Sequence, residues 1–299
     1  MSLPQTPIDP IVAARHPHPQ AKDDDLDVAG LTDQGKRRKT NQDHFLICSL
    51  HKAMRVRGTS LPHPEQLEIP SERLALFAMV ADGVGSTKGG EEASRAALET
   101  VATYATQTMN CYYASDPGSV DSFLDGLRQV AGEVQASVIA RGEQKPDLAG
   151  LATTLTIAIS VWPSLYLLHI GDSRAYLFRE GTLRQLTRDQ TLAQELVDSG
   201  AMPAERVEKS PFAHVLSSAV GGESHPMVAR FDSEPKDIVM LCTDGLTKHV
   251  TDARIAEVLG SMKSADQACR ILVDEALEAG GTDNVTVFVG RGRRGRMRG

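Results

Sequence analysis

The sequence LALFAMVADG, residues 74–83, joins an unbroken apolar run of eight residues to an Asp-Gly pair. An apolar run of this length, followed by turn-forming residues, is typical of a strand that is buried within a sheet. A carboxylate at the mouth of such a strand costs free energy unless another group pairs with it. The run therefore predicts a core strand in which Asp82 needs a partner.

Three further acidic patches occur along the chain, and two of them adjoin apolar runs at residues 238–242 and 285–289. The patches are Asn41-Gln42-Asp43, Thr243-Asp244-Gly245 and Thr282-Asp283-Asn284. Each aspartate taken alone could cap a turn. Several carboxylates brought together would repel one another, and the usual remedy is a hard divalent cation with oxygen ligands, Mg²⁺ or Mn²⁺. We therefore predict a metal centre assembled from strand ends that are distant in the sequence.

Composition limits the class of protein to which the chain belongs. Its 299 residues allow one large domain or two small ones, and 41% hydrophobic residues suffice for a sizeable core. The formal net charge of -7 argues against non-specific binding to nucleic acid. Four scattered cysteines without a CxxC pair disfavour a zinc site and favour reduced thiols in a cytoplasmic protein. We see neither a signal peptide nor a membrane-spanning run, and we expect a monomer without membrane association.

Apolar runs and helical periodicity predict seven strands and five long helices. The strands are predicted at residues 45–50, 74–81, 154–161, 165–170, 174–179, 238–242 and 285–290. The helices are predicted at residues 90–109, 119–141, 190–199, 252–261 and 264–279. Because the strands cluster and long helices interrupt them in pairs, the pattern favours a layered α+β fold over a strictly alternating parallel sheet.

Six motifs, read in order along the chain, carry a resemblance to a known family. They are GKRRKTNQD at 35–43, VADGVG at 80–85 running into GGEEAS at 89–94, ATTL at 152–155, IGDSRAY at 170–176, CTDGL at 242–246 and GGTDNVT at 280–286. In these motifs the chain resembles the metal-dependent Ser/Thr protein phosphatases of the 2C type, in their bacterial form. Any one motif is weak evidence, whereas six in the family order are strong evidence.

The resemblance implies a fold and a set of ligands. The fold is a four-layer α-β-β-α sandwich, in which helices flank two mainly antiparallel sheets. Two Mn²⁺ or Mg²⁺ ions would bind in the active site, with Asp82 as the bridging ligand and the backbone carbonyl of Gly83 completing one site. Asp244 and Asp283 would hold the other ion, and Asp43 would ligate or orient metal-bound water. In this catalytic centre, metal-activated water attacks the phosphate ester.

Arg38 stands where the family keeps its phosphate-binding arginine. A planar guanidinium matches phosphate oxygens two at a time, which a lysine does not. The adjacent Arg37 is expected to point elsewhere, because neighbours in an extended segment face opposite sides.

Three departures from the family pattern bear on the chemistry. Gln42 replaces a Glu found in many relatives, which removes one charge beside the metals. Val84 stands where animal relatives carry a His proposed as general acid, so the leaving group must be protonated by water or another residue. Some bacterial members bind a third metal through an Asp at the position of Gly150, whereas here Asp147 lies displaced upstream. We therefore expect a third metal site to be absent or weak.

Four segments are predicted to lie outside the core of a phosphatase domain that spans residues 27–290. Residues 1–26 are predicted to be a disordered lead-in. Residues 51–72 resemble an insertion, in which His51 and His63 are more readily explained as solvated side chains than as metal ligands. Residues 187–226 are predicted to form a mobile flap beside the active site. Residues 291–299 carry five arginines and are predicted to be a basic disordered tail or, alternatively, a docking site for an acidic partner.

Two motifs resemble other functional sites but are incomplete. Asp23, Asp25 and Asp27 imitate the start of an EF-hand loop, which fails where Val28 and Gln34 replace the required Gly and Glu. The segment GDS at 171–173 resembles a serine-hydrolase nucleophile, but the glycine that should follow is missing. In the resembled family this segment is structural, and we expect the same here.

The resemblance implies an enzyme that removes phosphate from phosphoserine and phosphothreonine in protein substrates of a Ser/Thr kinase. One alternative is a narrow regulatory phosphatase for a single signalling protein. Another is a catalytically weak regulatory binding module on the same fold. Loss of an acidic ligand would favour the binding module, and all four aspartates are present.

Overall fold

The computed structural model describes residues 26–54, 56, 69–85, 88–107, 119–144 and 150–292. Over these residues the chain forms eleven strands, six α-helices and a 3₁₀ helix at Ala204–Lys209. None of the helices in this part of the chain has both the length and the apolar character needed to cross a membrane.

The strands form two sheets in which all pairings between described strands are antiparallel. The first sheet has the order β1 (Leu26–Asp33), β11 (Val285–Gly292), β10 (Ile238–Cys242), β7 (Arg174–Arg179) and β8 (Thr182–Gln185). The second has the order β2 (Asp43–Met54), β3 (Ile69–Val84), β5 (Leu155–Val161), β6 (Ser164–Ile170) and β9 (Met227–Asp232). A two-residue strand, β4 (Ala152–Thr153), pairs with the end of β3.

The helices complete a four-layer arrangement. Two long helices, α1 (Lys88–Gln107) and α2 (Val120–Gln144), pack on the second sheet, and α5 (Asp252–Ser261) and α6 (Ala265–Glu278) pack on the first. A separate apolar core lies between the sheets. Two short helices, α3 (Leu192–Asp198) and α4 (Asp244–Thr247), lie near the ends of strands. The predicted α-β-β-α sandwich is therefore confirmed.

Strand β3 shows why the apolar run at its centre is unbroken. Phe77 and Met79 pack into the core beneath α1 and α2, whereas Ala78 and Val80 pack into the core between the sheets. Successive side chains of a strand point to opposite faces, so a strand in a middle layer is apolar on both. All seven predicted strands are confirmed, and six of them lie inside their sheets, whereas the strand predicted at 45–50 is part of β2, which is at an edge and half-buried.

Strands β1, β8 and β9 were not predicted, and neither was the two-residue β4. The first three lie at sheet edges, and most of their residues are only half-buried. A half-solvated edge strand tolerates polar and charged side chains, as in the sequence MVARFD of β9. These strands therefore lack the apolar run that identified the central strands and the edge strand β2.

Some residues of the predicted insertion and tail belong to strands. In the predicted insertion 51–72, β2 continues to Met54 and β3 begins at Ile69, with breaks in register along this arm. In the predicted tail, Arg291 is part of β11, and its Nε donates a hydrogen bond to Asp27 Oδ2 at 3.0 Å. Residues 1–25, 57–68 and 293–299 lie outside the described residues, and so does His63.

We predict that Gly245→Ala destabilises the fold where α4 meets the start of β11. A Cβ on Gly245 would lie 1.8 Å from the backbone oxygen of Asn284, which cannot move without displacing β11. Such overpacking should lower the free energy of unfolding by about 2 kcal/mol or more, measured by urea denaturation.

The control is Gly126→Ala, in helix α2, where a Cβ would meet no atom within 4 Å. This change should raise the free energy of unfolding by roughly 0.5–1 kcal/mol, because alanine loses less backbone entropy on folding. Equal stability of Gly245→Ala and the unaltered protein would contradict the close packing of α4 on Asn284.

Candidate metal centre

The four predicted aspartates meet at one end of the two sheets. Asp43 begins β2 and pairs directly across the sheet with Asp82 near the end of β3. Asp244 begins α4 immediately after β10, and Asp283 lies two residues before β11. Asp82, Asp244 and Asp283 line a cavity of about 880 Å³, and Arg38 lies in the same wall. Residues that are as much as 245 positions apart in sequence are thus brought into contact.

The backbone of Asp82 is fixed by the neighbouring strand. Its oxygen accepts a hydrogen bond from Thr154 N at 2.8 Å, and its nitrogen donates to Thr154 Oγ1 at 3.0 Å. The same threonine hydroxyl is hydrogen-bonded to Ser173 Oγ at 2.8 Å. The ATTL motif therefore positions Asp82 and connects it to the turn after β6.

Gly83 is required by close packing against the start of α1. A Cβ on Gly83 would lie 2.3 Å from the backbone carbon and oxygen of Gly90. A Cβ on Gly90 would in turn lie 2.4 Å from Gln42 Nε2. The resemblance implied only that the backbone carbonyl of Gly83 is a metal ligand, and the structure adds that the backbone of α1 lies where a side chain would be.

Asn284 holds the loop that carries Arg38 against the centre. Its Nδ2 donates to the backbone oxygens of Gln34 and Thr40 at 2.8 and 2.9 Å, and its Oδ1 accepts from Gln42 N at 2.9 Å. These three hydrogen bonds hold the segment 34–42, which contains Arg38, near both of its ends. The asparagine of the TDN motif is therefore a positioning residue, a role that sequence analysis did not assign.

Asp43 is buried, and half of its carboxylate is held by threonines. Its Oδ2 accepts hydrogen bonds from Thr243 Oγ1 at 2.8 Å and from Thr286 Oγ1 at 2.7 Å. Its Oδ1 is buried without a hydrogen-bond partner. Burial, with the charges of Asp244 and Asp283 adding to it, raises the pKa of Asp43 to about 7.

Two cations that contact the centre neutralise part of its charge. Lys248 Nζ lies 2.6 Å from Asp244 Oδ2 and 2.7 Å from Asp283 Oδ2. Arg38 contacts Asp283 through Nε at 2.7 Å and through Nη2 at 2.8 Å. Burial alone would raise the pKa of Asp283, but Arg38 and Lys248 outweigh it and lower the pKa. Arg37 is also exposed but does not line the cavity, in keeping with its predicted orientation.

Lys248 was missed by sequence analysis, although a signal existed. It lies four residues after Asp244, and this spacing places two side chains on one face of a helix. The signal was hidden because α4 is only four residues long, and its sequence DGLT does not read as a helix.

Asp172 is a fifth carboxylate of the centre. It is buried after the end of β6 and lines the cavity with Asp82 and Asp244. Burial, and next the charge of Asp244, raises its pKa well above the usual range. The expectation that the GDS segment is structural stays a prediction, but the position of Asp172 in the cavity makes it a further candidate ligand. The available signal was the position of Asp172 at the mouth of an apolar strand, which it shares with Asp82.

The donor set fits a hard divalent cation. Burial first, and then the charges of Asp43, Asp244, Asp172 and Asp283, raises the pKa of Asp82 well above its usual range. In addition, Asp43 Oδ1 and Asp244 Oδ1 are buried without hydrogen-bond partners. Oxygen atoms in such positions are suited to ligating Mg²⁺ or Mn²⁺.

A second group of possible ligands adjoins the first. Asp172, His214 and Asp244 each offer one ligand atom, and these atoms lie within 4.8 Å of one another. Asp147, on which the prediction of a weak third site partly rested, lies outside the described residues. The weak third site therefore stays a prediction.

The predicted flap, residues 187–226, forms one wall of the cavity. Gln190 ties it to the turn beside Asp172: its backbone nitrogen donates to Gly171 O, and its Oε1 accepts from Gly171 N, both at 2.8 Å. At the far end, Gln135 of α2 accepts from Gly221 N and donates to Gly222 O, again at 2.8 Å. The flap is thus anchored to both the sheet and the helix layer.

His51 and Asp27, two other candidate ligands, have different partners. His51 is hydrogen-bonded to Ser49 Oγ at 2.8 Å and to Ser71 Oγ at 3.1 Å, which explains it without a metal. Asp27 Oδ1 accepts from Ala265 N at 3.1 Å, so it caps α6, and Asp23 and Asp25 lie outside the described residues.

The chain is similar to known proteins in sequence and in fold. The sequence model of the family Protein phosphatase 2C matches residues 68–279. The serine/threonine protein phosphatase PstP of Mycobacterium tuberculosis is 36% identical over 216 residues, which cover 72% of this chain and 40% of that protein. The chain thus matches about two fifths of the length of PstP. The serine/threonine phosphatase stp of Listeria welshimeri is 32% identical over 215 residues, 71% of this chain and 83% of that protein.

Solved structures agree in fold. The crystal structure of M. tuberculosis PstP/Ppp superposes with a TM-score of 0.71 at 29% identity, covering 90% of this chain and 99% of that one. The catalytic domain of PstP in complex with two manganese ions superposes with a TM-score of 0.68 at 30% identity, covering 90% and 98%. From the matched family, the shared fold and the acidic centre, we conclude that the chain belongs to the protein phosphatase 2C family.

Proposed function

We propose that the protein is a metal-dependent protein phosphatase that hydrolyses phosphoserine and phosphothreonine. The observation that carries this proposal is the cluster of carboxylates beside Arg38. Asp82, Asp172, Asp244 and Asp283 line one cavity with Arg38. Asp43 and Asp244 each have a buried oxygen without a hydrogen-bond partner among the described residues. The set suits two divalent cations, and the neighbouring arginine suits a phosphate group. The solved PstP catalytic domain with two manganese ions supports the same stoichiometry here.

In this proposal the four aspartates and Gly83 hold two Mn²⁺ or Mg²⁺ ions. Asp82 would be the ligand shared by the two ions, the carbonyl oxygen of Gly83 would help to hold one, and Asp244 and Asp283 would hold the other, with Asp43 beside them. When bound, the ions supply positive charge next to the phosphoryl group and lower the pKa of water. Two threonines hold one oxygen of Asp43, and its other oxygen has no hydrogen-bond partner among the described residues, so it is free to ligate an ion or its water.

Arg38 binds the phosphate group of the substrate. Its side chain is 42% exposed and lines the cavity, so substrate can reach it. Two of its nitrogens now contact Asp283, so binding of phosphate requires this ion pair to give way, at least in part. The guanidinium is then paired with carboxylate oxygens before phosphate binds and with phosphate oxygens afterwards.

Lys248 positions the carboxylates and does not need to touch the substrate. Its ammonium contacts both Asp244 and Asp283, which holds the two side chains in a fixed relation. Their charges outweigh the cost of burial and raise the pKa of Lys248, so it stays protonated. Because Val84 offers no proton donor, the leaving group takes its proton from water or from another side chain of the cavity.

The physiological setting follows from the class of substrate. We propose that the enzyme acts as a monomer in the cytoplasm on proteins phosphorylated by a Ser/Thr kinase. The two alternatives make different predictions. A narrow regulatory phosphatase would be slow on generic phosphopeptides and fast on one signalling protein, whereas a binding module would turn over neither.

Chelation should abolish activity. Hydrolysis of p-nitrophenyl phosphate should be lost in excess chelator and restored by Mn²⁺, and less well by Mg²⁺, because the ligands are all oxygen atoms. Full activity of the metal-stripped protein would exclude the two-metal assignment.

Asp82→Asn should be the most damaging single change of a carboxylate. The loss of the bridging ligand should lower kcat at least about a thousandfold, equivalent to about 4 kcal/mol. In the metal-free protein the melting temperature should not fall, because the change removes one of several mutually repelling charges. Asp125→Asn, at an exposed site on α2, is the control and should retain full activity. Near-normal turnover of Asp82→Asn would refute its role.

Arg38→Ala should raise KM more than it lowers kcat, because the guanidinium contacts phosphate in both the ground and the transition state. Loss of this one charge-assisted contact should lower kcat/KM about ten- to a hundredfold. Arg38→Lys should recover only part of this loss. Arg37→Ala is the matched control and should change little. The reverse result, with Arg37→Ala the crippling change, would assign phosphate binding to Arg37.

A further inference from the structure

Four of the five exposed large apolar side chains in the described part of the chain line the cavity of the acidic centre or adjoin residues that do. Val84, Leu192 and Val215 line the mouth of the cavity, and they are 38%, 37% and 43% exposed. Phe212 is 45% exposed and adjoins them on the flap. The fifth, Ile139, lies on α2 and does not line the cavity. We call the group of four the apolar rim.

The flap part of the rim is built on a backbone held by hydrogen bonds. Leu192 N donates to Val215 O at 2.8 Å, and Ala193 N donates to Phe212 O at 3.3 Å. An isolated bridge between Thr191 and Leu216 continues this pairing. Leu192 is therefore held next to the segment that carries Phe212 and Val215. The backbone that presents these apolar side chains is thus fixed locally.

The remaining member, Val84, connects the rim to the acidic centre. Val84 follows Gly83 at the end of β3, only two residues after Asp82. An exposed apolar patch normally marks a surface that binds something. Here the patch is continuous with a cavity that contains Asp82, Asp244 and Arg38. A molecule bound at the centre through its phosphate would therefore have its neighbouring groups at the rim.

We propose that the apolar rim binds an apolar side chain of the substrate polypeptide, close in sequence to the phosphorylated residue. This inference rests on the proposed function, because it takes the acidic centre as the site of the phosphate. An extended chain advances about 3.3 Å per residue with side chains on alternate sides, so a residue within about three positions can reach the rim. The substrate class is thus narrowed to phosphoproteins with such a neighbour.

The consequence is a preference that is measurable with peptides. Transfer of one aliphatic side chain from water to a partly exposed apolar surface should favour a Leu peptide over a Ser peptide by roughly tenfold in kcat/KM. The preference for the Leu peptide should arise from contacts with the apolar rim and not from the acidic centre. A small substrate without side chains, such as p-nitrophenyl phosphate, gains nothing from it.

The experiment compares two phosphothreonine peptides with the Mn²⁺-loaded full chain. One peptide has Leu at the three positions on each side of the phosphothreonine, and the other has Ser at the same positions. The ratio of their kcat/KM values should be roughly ten in the unaltered protein and below about two in Phe212→Ser. Phe212→Leu, which keeps an apolar side chain, should retain the ratio. Ile139→Ser removes an equally exposed apolar side chain elsewhere, and it should retain the ratio too.

The outcomes separate this inference from the proposed function. Turnover of p-nitrophenyl phosphate with equal rates on both peptides would overturn the role of the rim and leave the phosphatase intact. An unchanged ratio in Phe212→Ser would overturn it as well. A dimer in sedimentation that Phe212→Ser dissociates, with equal peptide rates, would assign the rim to a second copy of the chain. No turnover of any of the three substrates would contradict the proposed function itself.

Discussion

The burial of several carboxylates at one end of two sheets is the constraint on which the rest of this structure depends. Two cationic side chains balance part of this negative charge. Lys248 contacts Asp244 and Asp283, and Arg38 contacts Asp283. Within the described part of the chain no ion pair is formed by Asp82, and its pKa is raised by burial and by its acidic neighbours. A divalent cation would remove this cost, because its charge favours the ionised form of every ligand. The same property that makes the centre costly to fold suits it to a divalent cation.

The aspartates are held in place by hydrogen bonds near the strand ends more than by contacts with the apolar cores. The aspartates lie at strand ends and on short turns, where hydroxyls and amides fix them: Thr154 holds Asp82, two threonines hold Asp43, and Asn284 holds the loop of Arg38. The three apolar cores lie behind them and set the positions of the strands. A site held in this way can keep like charges close despite their mutual repulsion.

Sequence analysis predicted the central strands, the layered fold and the meeting of Asp43, Asp82, Asp244 and Asp283, because each depends on a local pattern. An apolar run identifies a middle-layer strand, and a carboxylate at its end is unusual enough to be noticed. Asp172 and Lys248 were missed because their roles depend on which strand ends are adjacent, and that is a property of the two-sheet topology. The edge strands β1, β8 and β9 were missed because half-exposed strands tolerate polar residues and resemble loops.

The most direct test of this account is the anomalous diffraction of a crystal soaked with Mn²⁺. The account predicts two strong anomalous peaks within the acidic centre, both ligated by Asp82, with Gly83 O at one ion and Asp244 and Asp283 at the other. Lys248 should then keep its position while Arg38 becomes available to phosphate. Peaks that are absent from this centre, or that lie away from Asp82, would contradict the assignment of the carboxylate cluster as a metal site.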